Sequence, residues 1–265
     1  MPAIFLFCAL LFFLCRLLPA AEVDLGKKPV QTLSPSVSAS PAGPMASPVA
    51  VSSKYRPAML GTGPLSVINR INVQVMVQKG QKDATMMFCC SVKPNGEVAS
   101  ISYYRESPES TVLQEEVTRC FRNAILIPGS YDGHPVHVLM FGTIKFKVVD
   151  GKPRLRIFLN QEASELEKEA DFVGPQPFIG RESKFEGLHY PNDVLSSWLD
   201  GTVELGMQID ADGNLKELRV VSEHPPLAGF ARAAAEDFRV ARFIPAFRNG
   251  KPVECSITLP VHYEP

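Results

Sequence analysis

Arg239–Val253, RVARFIPAFRNGKPV, reads as the exit of a helix, a buried apolar corner, a tight turn and the entry to a last strand. Phe121–Val136, FRNAILIPGSYDGHPV, has the same layout. Phe121 matches Phe238, Arg122 matches Arg239 and Ala124 matches Ala241. Pro128 matches Pro245, Gly133 matches Gly250, and Pro135-Val136 matches Pro252-Val253. The offset is constant: 238 − 121 and 253 − 136 both give 117. The same offset sets Asn95-Gly96 beside Asp212-Gly213. An ungapped match through two turns, a helix and two strands marks an internal duplication. With no third copy, the chain reads as two domains rather than a solenoid.

The first domain, 71–148, begins with INVQVMV as a strand or lead-in. ATMMFCCSV then sets Met86, Phe88, Cys90 and Val92 on one strand face. Lys93–Gly96 is a hairpin turn and EVASISYY the returning strand. In a helix over Pro108–Ala124, Leu113, Val117, Cys120, Phe121 and Ala124 share a face. Val136–Val148 closes the copy. The second domain, 188–265, repeats this with Val203, Leu205, Met207 and Ile209, a turn at Asp210–Asn214, and LKELRVV. Its helix over Leu227–Ala241 points Phe230, Ala234, Phe238 and Ala241 inward. In its last strand Cys255, Ile257, Leu259, Val261 and Tyr263 alternate with Glu254, Ser256, Thr258, Pro260 and His262.

A right-handed crossover sets strand three beside strand one, so the order in each copy is two-one-three. Pro260 fits an outer edge, where its missing N–H is not needed. The fold class is α+β: two small ββαβ domains, each a three-stranded antiparallel sheet with one helix on one face. Residues 149–187 connect them, with a further short strand near 154–159 and a short solvated helix in ASELEKEAD. Pro175 and Pro177 are expected to break regular structure.

Residues 3–15 form an apolar run followed by Arg16 and LLPAAE. Residues 1–21 thus read as a signal peptide, with a retained membrane anchor as the alternative. Residues 27–64, rich in Pro, Ser and Ala, read as a semi-rigid tether. The 27 basic and 28 acidic residues leave no electrostatic case for nucleic-acid binding.

The second copy resembles the carboxyl-terminal domain of TonB. The resemblance rests on Tyr190-Pro191, Gly201-Thr202-Val203, Asp212-Gly213, Ala233-Ala234 to Phe238, Arg242–Ala246 and Asn249–Val253. It covers about 188–265. The first copy is similar only through the internal repeat, and a leader followed by a Pro-rich tether is also similar. The resemblance implies a non-enzymatic protein of the periplasm or cell envelope. Its implied partner is a TonB-dependent outer-membrane receptor or another envelope protein, with membrane contact only if the leader is retained.

Strand addition at an open sheet edge puts the partner-binding residues at Glu254, Ser256 and Thr258. Arg248 and Lys251, on the turn before them, are placed to attract an acidic flank. The first copy has Thr143 where the second has Pro260, so its edge is free to pair with 153–159. The rival readings are a structural or homodimeric envelope protein with blocked edges, and an energy transducer with a retained anchor. No catalytic motif, cofactor motif or metal-ligand spacing stands out. The Asp210–Asn214 turn lacks a Glu at the twelfth position of a calcium loop, where Val221 stands.

Overall fold

The computed structural model describes residues 54–265, apart from 193 and 195–197. The leader and the tether as far as residue 53 lie outside the described residues. The first half comprises β1 (Tyr55–Arg56), α1 (Val67–Arg70), α2 (Val73–Gln78), β2 (Ala84–Val92), β3 (Val98–Tyr104) and α3 (Thr111–Phe121). A small hairpin, β4 (Ser130–Tyr131) and β5 (His134–Pro135), leads into β6 (His137–Val149). Then come β7 (Lys152–Phe158), α4 (Ala163–Lys168), β8 (Phe172–Val173) and β9 (Gln176–Ile179). The second half comprises β10 (Gly201–Ile209), β11 (Leu215–His224), α5 (Phe230–Arg239), β12 (Arg242–Ile244), β13 (Ala246–Arg248), β14 (Lys251–Val253) and β15 (Cys255–Tyr263).

Alternation decides β2 and β10. Met86, Phe88, Cys90 and Val92 are buried, as are Val203, Leu205, Met207 and Ile209. The helical stripes behave likewise: Leu113, Val117, Cys120 and Phe121 on α3, and Phe230, Ala234 and Phe238 on α5, are all buried. β2 lies between β3 and β6, and β10 between β11 and β15.

The registers coincide once 117 is added to each first-half number. Ala84 faces Phe146, and Gly201 faces Tyr263. Phe88 faces Tyr103, and Leu205 faces Val220. Isolated bridges join Glu97 to Ile125 and Asn214 to Arg242. Gly96 and Gly213 adopt φ of +85° and +78°, a region glycine enters freely. A Cβ on Gly96 would lie 2.3 Å from the Leu126 carbonyl oxygen, and one on Gly213 would lie 1.9 Å from that of Phe243. The second hairpin differs by an additional register shift between Glu204 and Leu205.

Two separate three-stranded domains are not what forms. β6 pairs β2 along one side and both β7 and β9 along the other, and β9 pairs β12 from the second half. The first sheet therefore has six strands. β6 buries both faces: Val138, Met140, Ile144 and Phe146 enter one core, Leu139 and Phe141 the other. Ile244 and Phe247 pass in the opposite direction, into the first core. The described residues from 54 onward consequently belong to one compact unit.

Four local expectations change with it. Segment 149–187 is built into the sheets rather than free: β7 lines Thr143–Val149, the edge open to 153–159, and β8 pairs β13. Pro177 sits inside β9 opposite Phe243, where β6 takes only Phe178 and Ile179 and no bond on that side is lost. α4 is not fully solvated, since Glu165 and Leu166 are buried. Ile71–Val77 is mostly helical because the Asn72 side chain accepts from the Val75 amide at 3.1 Å and caps α2.

Part of the segment expected as tether, residues 55–60, packs into the first core. Tyr55, Ala58 and Leu60 are buried. Gln176 replaces a pairing strand there, accepting from the Ala58 amide at 2.7 Å and donating to its carbonyl at 3.0 Å.

Candidate functional site

Among the described residues β15 borders the second sheet, with β10 on one side only. Two bonds fix which of its backbone groups face away from β10. The Thr258 amide donates to Glu162 Oε2 at 2.8 Å, and the Pro260 carbonyl accepts from Tyr104 Oη at 3.0 Å. By strand alternation the backbone groups of Ser256, Thr258, Pro260 and His262 all point outward. Pro260 thus occupies an outward position, where the ladder needs no N–H.

Both capping side chains come from outside the second half. Tyr104 ends β3, is buried, and stacks on His262 with ring centroids 5.3 Å apart. Gln161 Nε2 donates to its hydroxyl at 2.9 Å and to the Gly142 carbonyl at 3.0 Å. Burial holds the Tyr104 phenol well above its ordinary pKa, so it stays a donor. Beside it Arg105 pairs with Glu204 at 2.7 Å, and Arg105 holds that carboxyl below the usual range.

Next to these caps a groove of about 710 Å³ runs over the sheet face opposite α5, lined by Glu162, Gly206, Gln208, Arg219, Ser256 and Thr258 among others. Its floor depends on a glycine: a Cβ on Gly206 would lie 2.8 Å from Arg219 Nε. Arg219 can lie across β10 only because nothing stands there.

The residues nominated from sequence divide three ways. Ser256 is exposed and, with half-buried Thr258, lines the groove. Glu254 stands at the start of β15 and accepts from Gln208 Nε2 at 2.7 Å. Lys251 is exposed on the hairpin beyond. Arg248 is committed internally, donating to Glu165 at 2.7 and 3.0 Å with its guanidinium 4.9 Å from the Phe172 ring centre. That pairing holds Glu165 below the usual carboxylate range. Glu162 and Tyr104 carry no local signal, because their partners on β15 lie 96 and 156 residues away, and Gln161 reaches β15 only through Tyr104.

Other polar clusters are closed on themselves. Asp210 is occupied by Lys216 at 2.8 Å and by the Asn214 amide at 2.8 Å. Cys89, Cys90, Cys120 and Cys255 are free thiols, and burial pushes the Cys89 and Cys255 thiols up to about 12. Asp237, buried on α5, accepts from the His189 amide at 2.8 Å and meets its ring nitrogen at 2.6 Å.

Residues 186–265 match the family model described as Gram-negative bacterial TonB protein C-terminal. The match takes in β10 to β15, and with them the β15 border. No curated protein matches the chain. The matched family is non-enzymatic and transport-related, and its members interact with outer-membrane receptors. Among the described residues no helix is long and apolar enough to cross a membrane.

Proposed function

We propose, from the match of residues 186–265 to the TonB C-terminal domain family, that this protein binds an extended segment of an outer-membrane receptor as a strand added beside β15. Main-chain hydrogen bonds supply the affinity, and Glu254 with the groove side chains Ser256 and Thr258 supplies selectivity. Lys251 adds a modest, salt-sensitive attraction to an acidic flank; Arg248 contributes by fixing α4 and the hairpin. In this reading the leader exports the chain to the envelope, and the first half is a second, degenerate copy of the domain.

One observation carries the reading. The outward groups of β15 are met by single side chains, an acceptor at Thr258 and a donor at Pro260, rather than by a strand. Those are the complementary groups that an incoming backbone brings. Among the described residues nothing bonds to the outward groups of Ser256. The same two caps favour a structural reading in which the edge is kept closed.

A panel of synthetic peptides covering periplasm-facing segments of outer-membrane receptors separates the two. Binding is expected to shift the Ser256, Thr258 and His262 amide resonances, and Ser256→Pro should abolish it while leaving the fold intact. A folded Ser256→Pro protein that binds as tightly as wild type would sink the strand-addition reading.

A further inference from the structure

The hairpin of β6 and β7 alternates basic and apolar residues. Residues 145–156 read KFKVVDGKPRLR, with Lys or Arg at 145, 147, 152, 154 and 156 and a single acid, Asp150. Five cations and one anion give this stretch +4, so the rest of a chain of net charge −1 carries −5. Between the cations, Phe146 is buried in the first core, and Leu155 and Ile157 pack against it. One face of the ribbon is therefore held by the core, and the other is left to the cations.

Register sets those cations side by side. Lys145 stands opposite Arg156 and Lys147 opposite Arg154, with Lys152 opposite Val149. Directly opposed side chains have Cβ atoms about 5 Å apart, where like charges destabilise. Successive cations on one strand follow at about 7 Å. Only part of this charge is answered within the molecule. Arg156 pairs with Glu169, and Lys145 lies over the Phe158 ring, 5.5 Å from its centre. Among the described residues no ion pair or hydrogen bond engages the side chains of Lys147, Lys152 or Arg154, and all three are exposed. The hairpin also projects. β2 starts at Ala84, opposite Phe146, so beyond that point β6 pairs with β7 alone among the described residues.

The duplicated motif does not call for this charge. At the offset of 117, Lys145 and Lys147 correspond to His262 and Glu264. The hairpin also lies outside the matched residues 186–265. Opposed like charges cost stability, and what offsets them must be anionic and broad enough to meet several cations at once. A groove suits a soluble anionic chain, whereas cations side by side on a projecting ribbon face suit a plane. An anionic bilayer is such a plane, and each Lys or Arg within a Debye length of it strengthens binding about fivefold.

We propose that the basic face of the β6–β7 hairpin docks on an anionic lipid bilayer, with Lys147, Lys152 and Arg154 toward the headgroup phosphates. The remainder of the chain, being net negative, is repelled by the same surface, so the separation of charge orients the protein with this hairpin against the lipid. The proposal does not rest on what β15 binds.

The experiment is co-sedimentation of the full chain with vesicles of phosphatidylcholine, alone or mixed with phosphatidylglycerol, at low and at physiological salt. Wild type is expected on the mixed vesicles at low salt and to leave them as salt rises. Lys147→Gln and Arg154→Gln should each weaken binding about fivefold, and the two together about twenty-five-fold. Arg156→Gln should do less, because Glu169 already answers that charge. Lys147→Gln and Arg154→Gln each remove a like-charge opposition at an exposed position, so both should melt no lower than wild type. Should either fail to fold, Lys152→Gln, opposite Val149, decides in its place. Attachment through the apolar run at residues 3–15 would be alike on both vesicle types and insensitive to these changes. Equal binding of wild type to both vesicle types overturns the proposal, as do folded variants that bind like wild type. So does tighter binding, phosphate for phosphate, to soluble inorganic polyphosphate than to the mixed vesicles, which would assign the hairpin to a soluble polyanion.

Discussion

By register β6 and β15 are the same strand, one in each half, yet they are used in different ways. Both pair with the first strand of their own hairpin at the same offset. β6 is then enclosed, with β7 and β9 along its other edge and a core on each face. β15 keeps its outer edge, covered only by the side chains of Glu162 and Tyr104 among the described residues. The difference comes from the segment after β6. Residues 149–187 supply the strands that occupy its border, whereas among the described residues no strand takes that place beside β15. Register makes the motif; neighbours decide whether its edge is consumed.

The largest test of the equivalence empties the matched aromatic sites. Phe121→Ala and Phe238→Ala should each cost about 3–5 kcal/mol, the range for deleting a fully buried phenylalanine. Because β6 serves both cores, each variant should unfold in a single transition in denaturant. Two resolved transitions would mean that the halves are energetically separate.

A smaller effect sharpens the contrast between the strands themselves. Thr143, the counterpart of Pro260, is fully buried and paired with Phe158 on β7. Thr143→Pro should remove a ladder bond and cost about 3 kcal/mol. Pro260→Thr, on an outward position, should change stability by less than about 1 kcal/mol. Equal costs in chemical denaturation would show that the two borders are equally enclosed.

The smallest effect is in pH. Asp237 beside His189 raises the histidine's pKa above its ordinary value. The stability it contributes is complete below the unfolded value of about 6.5 and is lost as pH rises through the raised folded value. In the first half, Cys120 stands in place of Asp237. There burial lowers the pKa of His137, and that contribution has the opposite sign, being lost as pH falls below about 6.5. Histidine resonances followed by NMR should titrate on opposite sides of the unfolded value. Two that titrate together would remove the distinction.

Much of this arrangement could be read in the chain. The constant offset placed both hairpins, both helices and both third strands, because turn glycines and apolar periodicities are local properties of the sequence. Pro260 marked an outward position for the same reason. The shared β6 could not be read in the same way. Leu139 and Phe141 look like the off-face residues of a long apolar strand, and only the position of the second half shows what they meet. Glu162 and Tyr104 are invisible for a related reason: a carboxylate or hydroxyl that caps a distant strand has no spacing rule. Ile71–Val77 misleads because alternating valines suggest a strand, while one capping side chain at Asn72 is enough to turn the segment into helix. Tyr55–Leu60 misleads because tether-like composition gives no hint that Gln176 will supply its backbone partners.

The exchange between the two cores also bears on the order in which the molecule can be made. Ile244 and Phe247 fill the first core, and Arg242–Ile244 pair with β9. The amino-terminal half therefore lacks part of its interior until Phe247 has been synthesised. Until then β6 presents an apolar face, with Leu139 and Phe141 uncovered, and such surfaces aggregate when they are left waiting. Contacts that span this much sequence are slow to close. Completion from the carboxyl-terminal half, rather than the sequential folding of two units, is the route this topology imposes.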